Sequence, residues 1–97
     1  MTHPTTLTAG IDTAKDKLDV AVHTTSTRLS VENRPSGYKP LAIELRRIGV
    51  TRVGIEATGG YERGVVKHLR EAGFEVILLQ PLQVKAFAKL NPPEQWV

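Results

Sequence analysis

Two tripeptides constrain this chain more than any other feature: Gly10, Ile11, Asp12 and Gly54, Ile55, Glu56. Each closes a short apolar run that alternates as a β-strand does, and each ends on an acid where the strand runs out. If the two strands lie side by side and parallel, the shared pattern puts Asp12 and Glu56 on one face at one edge of a sheet. The small Gly10 and Gly54 beneath them would leave room for a ligand. Taken singly, either acid reads first as a capping or turn residue at a strand exit. The coincidence of the two patterns turns the reading to a shared site.

With 97 residues, 40% hydrophobic and 24% charged, the chain suits one globular domain over 1–97 that buries on the order of 65% of its unfolded surface. No apolar run approaches the roughly 20 residues of a membrane helix. Residues 1–6 lack a basic segment followed by an apolar one, so no signal peptide is expected. Cysteine is absent, which excludes disulfides and thiolate metal sites and suits a reducing, cytoplasmic location. Thirteen Lys and Arg against ten Asp and Glu leave a net charge of +3, compatible with a nucleic-acid partner but common on surfaces that have none. Arg63, Lys67 and Arg70 recur along one helical stretch and read equally as a solvated face or as a phosphate-contacting stripe. An aromatic content of 5% is too low for a base-stacking platform.

Taken in order, residues 7–12 form the first strand, 13–17 a polar turn, and Leu18, Val20 and Val22 the inward side of a second strand, so the two make a hairpin. A weaker third strand with Leu29 and Val31 inward ends at Asn33. Tyr38, Leu41, Ala42, Leu45 and Ile48 fall at helical spacing, with Ser36 as the cap and Gly49 as the terminator. Residues 51–56 form the fourth strand. Tyr61, Val65, Leu69 and Ala72 mark a second helix, capped by Thr58 or Gly59, whose free amides face the edge that carries the acids. The unbroken apolar run Val76, Ile77, Leu78, Leu79 predicts a fifth strand covered on both faces. Pro81 opens a third helix carrying Leu82, Val84, Phe87 and Ala88.

Three strands in succession, then helix, strand, helix, strand and helix, predict a mixed five-stranded α/β sheet of order 3-2-1-4-5 with three helices. In it the first and fourth strands are parallel neighbours. That is the layout of the ribonuclease-H-like fold. Gly10, Ile11, Asp12, followed by Lys15, Asp16, Leu18, Asp19 and Val20, resembles the opening of the DEDD-type, RuvC-like transposases of bacterial insertion sequences. Glu56, Ala57, Thr58, Gly59, Gly60, Tyr61 and Glu62 resemble their second acidic motif. Leu79, Gln80, Pro81, Leu82, Gln83, Val84 and Lys85, with Ala86 to Lys89 after them, resemble the strand and helix that follow.

The resemblance implies DNA transposition, with Asp12 and Glu56 as catalytic metal ligands alongside two aspartates of a later Asp-x-x-Asp motif. Magnesium or manganese is the implied ion, because strand transfer on phosphodiesters uses divalent cations clamped by several carboxylates. It further implies DNA and a structured guide RNA as partners, and a C-terminal domain with a nucleophilic serine. Here Asn91, Pro92 and Pro93 break the pattern, and 91–97 reads as a divergent tail. The expectation is an N-terminal fragment that binds metal weakly and is inactive alone. Any apolar face left bare would be covered by a second copy or by full-length transposase.

Nucleic-acid contacts are expected from Thr58, Gly59, Gly60, Tyr61, Arg63 and Lys67 at the start of the second helix. Tyr61 reads equally as a packing residue. Asp16 and Asp19 read as turn and solvent residues, alternation sending Asp19 across the hairpin from the strand end. His3, His23 and His68 lack metal-ligand spacing. A non-enzymatic module that binds nucleic acid or transposase is the alternative. A nucleotide-binding domain of the sugar-kinase and actin type shares the sheet order, but such domains place glycines after the first aspartate, where this chain has Thr13, Ala14 and Lys15.

Overall fold

The computed structural model describes residues 6–57 and 59–80. Its elements are β1 (Leu7–Thr13), β2 (Lys17–Val22), β3 (Arg28–Glu32), α1 (Pro35–Ile48), β4 (Val50–Glu56), α2 (Arg63–Glu71) and β5 (Glu75–Leu79). The strands form one sheet in the order β3-β2-β1-β4-β5, the order predicted and one compatible with a ribonuclease-H-like fold. β1 pairs antiparallel with β2 and parallel with β4, and β4 pairs parallel with β5. Two helices are present among the described residues. The third helix expected from Pro81, and the tail 91–97, lie outside them.

Alternation along the strands divides the sheet into two unlike faces. Ala9 and Ile11 of β1, Leu18, Val20 and Val22 of β2, and Val53 and Ile55 of β4 are buried. Against them pack Tyr38, Leu41, Ala42 and Leu45 of α1 and Val65, Val66 and Leu69 of α2, with Phe74 closing one end. At roughly 1.5–3 kcal/mol for each fully buried large aliphatic side chain, this single apolar layer is the main source of stability. The opposite face carries Gly10, Asp12 and Asp19, all exposed, with Gly54 and Glu56 half-buried.

Both helices begin elsewhere than expected. Proline suits the first helical position, because its missing N–H has no partner there anyway. α1 therefore starts at Pro35, with Arg34 at the cap and Ser36 inside the first turn rather than capping it. Its other end matches expectation: Gly49 takes a left-handed φ of 104°, and its N–H reaches the carbonyls of Leu45 and Arg46. α2 starts at Arg63 after Glu62, without a side-chain cap. Gly59 and Gly60 have φ of 63° and 93°, values that a right-handed helix cannot contain, so they form a turn before it. Tyr61 therefore lies outside the helix and is 48% exposed.

β5 corrects a further expectation. It is the edge strand of the sheet, and Ile77 and Leu78, on opposite faces, are each 39% exposed. Its apolar run is therefore not covered on both sides.

Candidate active site

The chain runs from β1 outward to β2 and β3, then returns through α1 to start again at β4 on the other side of β1. The carboxyl ends of β1 and β4 thus meet where the strand order reverses, the position at which open α/β sheets commonly bind ligands. Register makes the meeting specific. Gly10 pairs with Gly54 and Ile11 with Ile55. Ile11 and Ile55 point into the core, so the next residues, Asp12 and Glu56, lie together on the face that no described helix covers.

Among the described residues, the floor below the acids is bare. Gly10 pairs with Ala21 on one side and Gly54 on the other, so three consecutive strands present almost no side chain in that row. A Cβ placed at Gly10 would meet nothing within 4 Å, and one at Gly54 would meet only Leu79 Cδ1 at 3.6 Å. The room anticipated beneath the two acids exists.

Asp19 is placed differently from its sequence reading. It pairs directly with Asp12, so the same exposed row carries Asp19 and Asp12 side by side, with Glu56 beyond. Residues directly opposite in an antiparallel pair share a face, and counting outward from the turn at Ala14, Lys15 and Asp16 gives this register. Asp19 Oδ1 accepts from Ser30 Oγ at 3.1 Å, and its carboxylate lies 3.7 Å from Lys17 Nζ. Those partners offset the like-charge proximity of Asp12. Among the described residues, no group of three or more His, Cys, Asp or Glu is gathered tightly enough to hold a metal ion.

The residues expected to contact nucleic acid divide into two places. Thr58 lies outside the described residues. Gly59, Gly60 and Tyr61 form the turn that leaves the acid-bearing edge, where the Gly60 N–H donates to Glu62 Oε1 at 3.1 Å. Arg63 and Lys67 line a shallow groove of about 370 Å³ with Val66, Arg70 and Leu78. That groove lies between α2 and β5, on the helix-covered side of the sheet, and does not adjoin the acids. No described helix is long and apolar enough to cross a membrane.

A search among curated proteins returns no match. A sequence model of the DEDD transposases of the IS110 type matches residues 9–95, a span that takes in both acid-ending strands and the turn after Glu56. With nearly the whole chain matched, and the two acidic strand ends adjacent in the fold, the chain belongs to the DEDD transposase family of the IS110 type.

Proposed function

We propose that this chain supplies part of the catalytic centre of a DNA transposase, with Asp12 and Glu56 as ligands to magnesium or manganese. The observation that carries the reading is the parallel register of β1 with β4, which brings two distant acids to one exposed edge above a floor without side chains. The donor set suits such an ion: both are hard oxygen ligands, and magnesium is commonly held by one or two carboxylates, with water and substrate phosphates completing its shell. When bound there, such a cation would supply charge neutralisation and polarisation of the phosphoryl group of a phosphodiester. Asp12 and Glu56 hold it at the strand ends, and the row Ala21, Gly10, Gly54 leaves space for a sugar-phosphate backbone.

DNA is the partner on this reading. The resemblance to RuvC-like, RNA-guided members adds a structured guide RNA as a second. With two carboxylates as its share, the chain binds the ion weakly until substrate phosphates join it.

A magnesium or manganese titration followed through assigned backbone amides tests this, using the wild-type chain and Asp12→Asn combined with Glu56→Gln. Saturable shifts confined to residues around 12 and 56, and lost in the double variant, are expected. Shifts that are absent, or that persist in the variant, overturn the assignment.

A further inference from the structure

Beyond the last register pair of β1 with β4, the exits of the two acid-bearing strands are tied together by one side chain, Asn33, just past the end of β3. Its Nδ2 donates to the backbone carbonyls of Ala14 at 2.7 Å and Tyr61 at 2.9 Å. Its Oδ1 accepts from the Tyr38 hydroxyl at 2.6 Å, and its own backbone N–H donates to the Asp16 carbonyl at 3.0 Å. Ala14 stands two residues beyond Asp12, and Tyr61 five beyond Glu56. One amide therefore holds the turn that leaves the first acid and the loop that leaves the second.

The orientation of that amide follows from its partners. Two carbonyl oxygens can only accept, so the NH2 group must face them, and the Tyr38 hydroxyl must donate to the oxygen. Burial raises the Tyr38 pKa, which keeps the hydroxyl protonated and able to donate. Its position is fixed by α2, where a Cβ at Gly64 would stand 2.5 Å from the Tyr38 oxygen, and the His68 ring lies 5.7 Å from the Tyr38 ring, centroid to centroid. Both helices therefore brace the amide that braces the loops.

We propose that Asn33 is a positioning residue for the carboxylate pair, clamping the β1–β2 turn to the β4–α2 loop so that Asp12 and Glu56 face a shared cation at a fixed separation. This rests on the reading of those acids as cation ligands. Magnesium tolerates little deviation from its preferred geometry, and groups that orient metal ligands typically carry about 10–100-fold in affinity. Asn33 touches no reacting atom and acts only through the two loops.

The test uses the full chain in two measurements. In the wild type, the Asn33 side-chain amide resonances should move with magnesium or manganese along the same saturation curve as the backbone amides near Asp12 and Glu56, although Asn33 is not a ligand. In Asn33→Asp, a near-isosteric change that replaces both donors with acceptors, amide exchange should accelerate in the 14–16 and 59–62 segments together. The amides of Val20 and Ile55 should stay protected, and cation affinity should fall about tenfold. Tyr38→Phe removes the donor that orients the amide oxygen and should speed exchange in both segments and lower cation affinity by less than Asn33→Asp does; if Asn33→Asp does not fold, a folded Tyr38→Phe with wild-type exchange and affinity overturns the proposal. Static Asn33 resonances in a wild type that binds the cation overturn the proposal, as does a folded Asn33→Asp with wild-type affinity. If the wild type shows no cation-induced shifts, the carboxylate reading fails instead. Loop exchange then decides the clamp alone, and unchanged exchange in either segment overturns it.

Discussion

Gly37 shows how closely α1 sits on the strand before it. A Cβ there would stand 2.1 Å from the Glu32 carbonyl oxygen, a backbone atom that cannot rotate away. Gly37→Ala should therefore lift the first turn of α1 off the end of β3 and cost about 3 kcal/mol, the upper part of the overpacking range. The roughly 1 kcal/mol that alanine gains over glycine inside a helix is too small to offset this. The measurement is the urea midpoint at unchanged slope, and a midpoint at or above wild type would refute the contact. At this scale, legibility depended on what each residue's partners leave in the sequence. Asp12 and Glu56 could be read because each ends an alternating run. Asp19 was misplaced because its neighbour depends on the turn length between β1 and β2, which shifts the register by whole residues. Asn33 could not be read, because its amide bonds backbone carbonyls 19 and 28 residues away, and a carbonyl has no residue type.

Among the elements, the α2–β5 connection is held by α1 through one side chain. Arg46 places its guanidinium 4.7 Å from the centre of the buried Phe74 ring and donates to the Ala72 carbonyl at the end of α2. Arg46→Ala should lower stability by about 1 kcal/mol, combining a cation–π contact with a hydrogen bond to a helix end. Arg52 and Glu75 offer the contrast. They bond across β4 and β5 at 3.1 Å, but both side chains are more than half exposed, so Arg52→Ala should change stability by less than about 0.5 kcal/mol. Thermal melts of the two variants against wild type check both values, and an equal loss would contradict the ranking. Strand order was legible at this scale, because a meander followed by helix-linked strands leaves few permitted arrangements. The start of α2 was not, because Gly59 and Gly60 read as an opening to a helix while their positive φ values put them before it.

In the whole molecule, folding and the proposed chemistry use opposite faces of the sheet. The core lies under α1 and α2, while the row Ala21, Gly10, Gly54 lies on the other side. Gly10→Val should consequently leave the fold intact, or stabilise it by up to about 1 kcal/mol through β-propensity, because a Cβ there meets nothing within 4 Å. On the proposed function, the same change should weaken DNA binding by filling the floor below the acids. Denaturation and DNA titration of this variant together separate the two faces, and a loss of stability without a loss of binding would contradict the division. The parallel pairing of β1 with β4 also has a consequence for biosynthesis. All of β2, β3 and α1 lie between those strands in the chain, so the contact closes a long loop and can form only after local structure is in place. A nascent chain that has emerged only as far as α1 holds Asp12 beside Asp19 but lacks Glu56. The pair of Asp12 with Glu56 comes into existence only when β4 docks, so a ribosome-bound intermediate short of that point carries the first acid without the second.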